Sequence, residues 1–228
     1  MSVPQSVRKS EPFAADIAAF IASDTFPCVG AKSALRTGQV TVHEAGNFHA
    51  ESGVERLHDK LSEFGDSLKD ARGAVQTFIC AFDRAELMSE EAFEQRLWAH
   101  LQALHDLDVE RGHDWAEGVS TDPASPDFSV SIAGEGYFVV GLHPGASRPA
   151  RRFCRPALVF NSHTQFEALR ADGRYGRMQT IIREREIARV GSINPMLGNH
   201  GSRAQAPQFS GREVGEDWVC PFSVRTTS

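Results

Sequence analysis

The chain has 228 residues, a length suited to one domain that can bury most of its apolar surface without disulfide or metal staples. Hydrophobic residues make up 41% and charged residues 24%, a globular balance that excludes wholesale disorder, and no apolar run is long enough to span a bilayer. The formal net charge of -6 hides a division: residues 1–135 carry 11 Lys+Arg against 23 Asp+Glu, whereas residues 136–203 carry 11 Arg, no Lys and four acids.

Residues 1–11 are polar and mixed in charge, without an apolar signal core, and read as a loose tail before a single domain spanning 12–228. Phe13, Ile17, Phe20 and Ile21 then share one helical face, and Asp24 to Pro27 closes that helix. Val29 to Arg36 is a short stretch of small residues closed by Gly38, and Val40 to His43 reads as a brief strand. Val54, Leu57, Leu61, Phe64 and Leu68 recur at helical spacing on an acidic surface helix. Ala74 to Phe82 has the composition of a buried strand. Ser89, followed by Glu90 and Glu91, starts a longer helix reaching about Arg111.

Phe128 to Ile132 and Tyr137 to Leu142 form two strands around Gly134-Glu135-Gly136, the signature of a hairpin. Pro156 to Phe160 is a further strand; His163 to Arg170 and Arg174 to Ala188 are helices separated by Gly173. Beyond Gly191 the chain is rich in Gly, Asn, Pro and Ser and is expected to wrap the domain as ordered loop. Helices and strands alternating irregularly around a hairpin predict an α+β domain with a mostly antiparallel sheet.

The chemistry-bearing signals are few. The sequence contains no phosphate loop, no dinucleotide fingerprint, no nucleophile elbow and no zinc-binding H-E-x-x-H. Cys28, Cys80, Cys154 and Cys220 lie far apart with no C-x-x-C pair, which fits a reducing compartment; together with the polar N-terminus this predicts a cytoplasmic protein. Cys80 and Cys220 read as inert, whereas Cys28 precedes a helix start whose dipole favours a thiolate. His100, His105 and His113 read as solvated helix histidines rather than metal ligands. The segment from His143 through Ser147, Arg148, Arg151 and Arg152, and the strand-to-helix passage Asn161-Ser162-His163-Thr164-Gln165-Phe166-Glu167, hold the densest polar groups. An Arg-only segment leaves two readings open, ion pairing with the acidic half or an anionic ligand. Nucleic acid is disfavoured because the acidic half repels phosphate and no reading motif is present.

Five stretches carry a resemblance to a known family: FPCVGAKSALRTG at 26–38, YFVVGLHPGASRPARRF at 137–153, LVFNSHTQFEALRADGRYGRMQTIIRERE at 158–186, GSINPML at 191–197 and QFSGREVGEDWVCPF at 208–222. In order and in their aromatic, Asn, His and Gln pattern they resemble the YqcI/YcgG family. Its better-understood members, of the guanitoxin-pathway type, look like haem-dependent monooxygenases that N-hydroxylate a guanidine nitrogen of arginine or an arginine-derived molecule. The resemblance therefore implies haem b, O₂ or peroxide as oxidant, an external electron donor such as a redox partner protein, and a small cationic guanidine or amine substrate. Homodimerisation is left open, and neither nucleic acid nor membrane is an expected partner.

Under that resemblance Cys28 and His163 are alternative axial ligands to the iron, with Cys28 ahead because thiolate donation favours O–O cleavage and with Asn161 orienting His163. His143 stands third as ligand and, with Ser147, as a source of distal protons. Arg148, Arg151 and Arg152 are placed to bind the haem propionates, and Glu167 is a candidate partner for a cationic substrate. Two rival readings accompany this one: a non-catalytic haem or gas-sensing protein, and a cofactor-free module holding a small organic anion.

Overall fold

A computed structural model describes residues 12–24, 26–50, 53–69, 74–83, 87–192 and 204–225. The expected loose tail at 1–11 and part of the loop after Gly191 fall outside these residues. Six helices and a five-stranded sheet are described: α1 (Pro12–Ala22), α2 (Val29–Arg36), β1 (Val40–Glu44), α3 (Val54–Leu68), β2 (Thr77–Ala81), α4 (Glu90–Glu110), β3 (Val130–Ile132), β4 (Glu135–Leu142), β5 (Ala157–Ser162), α5 (His163–Ala171) and α6 (Arg174–Val190). The α+β expectation holds, and strand order is β1-β2-β5-β4-β3. Only β1 and β2 run parallel, joined through α3; the remaining pairs are antiparallel.

The predicted β3–β4 hairpin turns through Ala133 at φ 50 and Gly134 at φ 75. Two successive left-handed residues give the tight turn whose twist matches paired strands, and a glycine tolerates one of them without steric cost. Ser89 caps α4 by accepting from the Ala92 N–H, and Ser162 caps α5 by accepting from the Gln165 N–H. Such caps contribute about 1 kcal/mol each by satisfying amides the helix leaves unpaired.

Alternation along the strands divides the molecule. Phe78 and Cys80 of β2, Tyr137 and Val139 of β4, and Leu158 and Phe160 of β5 join the large apolar cluster formed with α3 and α4. The opposite strand positions face α1, α2, α5 and α6. On that side Ile79, Ala81, Leu142 and Ala157 pack with Phe13, Ile17 and Ile21 of α1. Arg155 anchors α1 by an ion pair with Asp16 at 2.6 Å, its guanidinium stacked 3.8 Å over the Phe13 ring.

Candidate functional site

A cavity of about 310 Å³ opens on the second face of the sheet, within the size range of small-molecule and cofactor sites. Its floor is made of alternate residues of three strands: Thr77 and Ile79 of β2, Val159 and Asn161 of β5, and Phe138, Val140 and Leu142 of β4. Its walls come from α1, the start of α2, and α5, and α6 adds Tyr175, Met178, Gln179, Ile182 and Arg183. Most of the lining is apolar. The charged side chains among the described lining residues are Arg151, Arg170 and Arg183, with no Asp or Glu.

Cys28 lies on the wall as the N-cap of α2, its sulfur accepting from the Ala31 N–H at 3.5 Å. Burial pushes the thiol's pKa up, while the backbone amides of Ala31 and Gly30 and the charge of Arg185 oppose that push. A bare thiolate is disfavoured in such a pocket, but a bound cation removes that penalty because a coordinating thiol is deprotonated outright. Gly30, the second residue of the same helix, leaves space that Met178 of α6 fills: a Cβ there would sit 2.7 Å from the methionine methyl.

His163 also lines the cavity, at the first position of α5. Its Nδ1 lies 3.2 Å from the Ser129 hydroxyl, and its Nε2 lies 3.5 Å from Glu167. Burial lowers its pKa, Glu167 pulling the other way, so the imidazole is held neutral. Asn161 does not orient this ring: its Oδ1 accepts from the Thr77 hydroxyl at 3.2 Å and its Nδ2 donates to the Phe138 carbonyl. Ser129 occupies the place expected of Asn161. Thr77 and Ser129 are single polar residues inside apolar strand segments, a signal present in the sequence but readable only with the sheet face known.

Several predicted residues stand elsewhere. His143 follows β4 on the α4 face of the sheet, its ring stacked 4.2 Å from Phe93, and it is not a cavity residue. Neither of its ring nitrogens has a hydrogen-bond partner, and burial pushes its pKa down to about 4. Ser147 donates through both its N–H and its hydroxyl to Glu90 and is also outside the lining. The distal-proton role expected of these two therefore has no geometry behind it. Glu167 is half exposed, ion-paired with Arg170, and not a lining residue.

The three arginines expected at the propionates diverge. Arg151 lines the cavity, but its donors reach the carbonyls of Gly141, Phe209 and Gln208 at 2.8–3.1 Å. Burial lowers its pKa to about 10, which leaves it charged at neutral pH. Arg152 donates to the carbonyls of Ala146 and Ser147, and Arg148 lies at a small neighbouring cleft beside Arg185 and Arg189. The cationic groups that do reach the cavity from the helices are Arg170 and Arg183, neither of them singled out from the sequence. Arg170 spreads over the Tyr175 ring at 4.9 Å, with its Nε buried and without a hydrogen-bond partner.

The histidines of α4 are not solvated. His100 and His105 are buried, His100 bonding the Phe48 carbonyl and His105 accepting from the Arg225 N–H. The expectation fails for these two because Phe48 and Phe82 cover His100 and Trp115 and Phe222 cover His105, whereas His113, beyond the helix end, is exposed as expected. His58, Asp108 and His113 hold donor atoms within 4.8 Å of one another. Two of its members already engage each other: Arg111 donates to His58 Nδ1 at 2.6 Å, so Nε2 carries the proton toward Asp108 at 2.7 Å. Cys80 is fully buried core, and burial raises the Cys220 thiol to about 11, so both remain inert thiols.

The chain matches the YqcI/YcgG family over residues 17–223 and belongs to it. It is 29% identical over 211 residues to the uncharacterized protein YcgG of Bacillus subtilis (strain 168), covering 88% of this chain and 82% of that one. The uncharacterized protein YqcI of the same organism is 26% identical over 184 residues, covering 78% and 71%. No solved structure matches. Among the described residues, no helix is long and apolar enough to cross a membrane.

Proposed function

We propose that the chain is a haem-dependent oxidoreductase that N-hydroxylates a small guanidine-bearing molecule, with the cavity as the place that would hold haem and Cys28 as the residue that would bind its iron. The observation that carries this reading is Cys28 itself, a part-buried thiol at a helix start on the wall of an apolar cavity whose charged lining is cationic. The donor set suits the group: one soft ligand, an apolar surround, and arginines with no acid among the described charged lining residues. Haem, when bound, supplies oxygen activation, which a thiolate ligand assists.

The protein's own residues would set the rest. The Ala31 N–H and the α2 dipole steady the sulfur's charge. The apolar floor excludes bulk water, and neutral His163, bridging Ser129 and Glu167, holds a proton at the cavity wall. Overall, one N–H becomes N–OH, the second oxygen atom leaves as water, and two electrons and two protons come from outside the chain. With no carboxylate among the described lining residues, a guanidinium cation finds no counter-ion there. The cationic lining favours the uncharged guanidine, whose nitrogen lone pair is the one oxidised, and the arginines can hold a substrate carboxylate.

The test is the absorption spectrum of protein expressed with a haem precursor, recorded ferric, reduced, and reduced with CO. A Soret band and a strongly red-shifted CO complex, the latter lost in Cys28→Ala, are expected. A short-wavelength CO complex unchanged by Cys28→Ala moves the ligand to His163. Protein that stays colourless with added haemin overturns the reading and leaves a module for a small organic anion, which the same arginine-lined cavity also fits.

A further inference from the structure

Among the described residues, three metal-ligating side chains meet away from the cavity, where α3 packs on α4. His58 of α3, Asp108 in the last turn of α4 and His113 just past it each offer a donor atom, all within 4.8 Å of one another. The backbone fixes this meeting. Arg111 caps α4, Gly112 turns left-handed at φ 74, and the N–H groups of Gly112 and His113 return to the carbonyls of Val109 and Asp108 at 3.0 and 3.1 Å. That pair of bonds is the glycine-closed helix end, and it sets His113 beside Asp108. Asp108 Oδ1 is held in turn by the Ala133 N–H and by His58 Nε2, both at 2.7 Å. His58 and Asp108 are buried, whereas His113, its ring 5.5 Å from that of His58, opens the cluster to solvent.

We propose that His58, Asp108 and His113 form a zinc site with three protein ligands and a fourth position open to water. Zinc takes imidazole nitrogen and carboxylate oxygen at about 2.0–2.2 Å, which sets ligand atoms roughly 3–4 Å from one another. The spacings of 2.7 Å and up to 4.8 Å bracket that range, and the exposed His113 supplies the adjustment. Arg111 is the competitor. Its Nη1 donates to His58 Nδ1 at 2.6 Å and to Asp59 at 2.7 Å, which keeps the His58 proton on Nε2, the nitrogen that faces Asp108. Binding therefore moves that proton to Nδ1 and releases Arg111, whose side chain, 32% exposed, can swing toward solvent. Asp59, on the far side of the same Nη1, then accepts from Nδ1–H, the outer partner a ligating histidine needs. His58 loses no proton overall, and the metal takes over the positive charge that the guanidinium carried between two carboxylates. None of these residues lines the cavity, so the site does not depend on the haem reading.

The experiment titrates the purified, chelator-treated full-length chain with Zn²⁺ by calorimetry and records the visible spectrum with Co²⁺ in its place. Zinc binding is expected, with a cobalt spectrum that lacks a sulfur-to-cobalt charge-transfer band. His113→Ala is expected to weaken zinc by about tenfold or more, at least the cost of losing an outer partner. Arg111→Met removes a competing cation and frees Nδ1, and is expected to tighten zinc by about fivefold or more. Zinc is also expected to raise the thermal midpoint of the wild type more than that of His113→Ala. A wild type that binds no zinc, or a His113→Ala chain that binds it as the wild type does, overturns the proposal. So does a sulfur charge-transfer band, which would move the ion to a thiol such as Cys28. Zinc binding that Arg111→Met weakens or leaves unchanged overturns the exchange and with it the ligand set. Should Arg111→Met lower the urea midpoint, His113→Ala decides, because His113 stands at the surface. Chains with and without added haemin are expected to bind zinc alike, which keeps this result apart from the cavity reading.

Discussion

Arg151 joins three backbone carbonyls that are distant in sequence, those of Gly141, Gln208 and Phe209, and so fastens the C-terminal segment to β4. Replacing it with Met leaves those carbonyls without their donor in a buried place. The expected cost is about 3 kcal/mol, read from the urea midpoint at constant slope. His143 makes the opposite kind of contribution. Its pKa falls from 6.5 in the unfolded chain to about 4 in the fold, so the unfolded state binds the proton first. Stability is therefore complete above pH 6.5 and is lost as pH falls through about 4, by on the order of 3 kcal/mol. His143→Phe keeps the stack on Phe93 and removes the titration. Its stability between pH 7 and pH 4 is expected to fall less than that of the wild type, and equal slopes would refute the assignment. Sequence alone marked both residues, and their contacts give each of them a part in holding the fold. A buried guanidinium satisfied by carbonyls and one aimed at a ligand look alike until the neighbouring chain is placed.

Among the elements, the approach of α4 to the sheet depends on Gly141. A Cβ at that position would meet Phe93 Cε1 at 2.5 Å and Leu97 Cδ1 at 2.8 Å. Phe93 has no easy retreat, since its ring lies between His143 at 4.2 Å and Phe48 at 5.3 Å. Gly141→Ala is therefore expected to destabilise by roughly 1–3 kcal/mol through overpacking, measurable as a lowered thermal midpoint. The elements themselves were largely legible. The apolar period of α3, the Ser89 cap of α4 and the glycines of the β3–β4 turn are local signals, and each produced the element it signals. What local signals leave open is which side of an element is covered twice. His100 and His105 sit on an acidic, outwardly polar helix, yet Phe48 and Phe82 cover the first and Phe222 of the C-terminal segment covers the second.

At the scale of the molecule, the two sheet faces differ in how firmly they are covered. The α3–α4 side is a continuous apolar core, whereas α6 buries only Glu186 among its residues and otherwise roofs a cavity. Native-state hydrogen exchange is expected to show slow amides in α4, β2 and β5 and much faster ones in α6. Addition of haemin is expected to slow α6 selectively, by filling the space that its inner face lacks. Uniform protection of α4 and α6 in the ligand-free protein would contradict this division. The sequence by itself determined the class of the domain, the order of its elements, the charge division, and Cys28 as the thiol at a helix start. These are readable because the repeats of helix and strand, the caps and the turns act over a few residues. The tertiary structure alone decided which groups share the cavity. Cys28, Thr77, Ser129, Asn161, His163 and Arg183 come from five separate stretches of chain, and their meeting depends on strand order and register, which turn alternate residues toward one face.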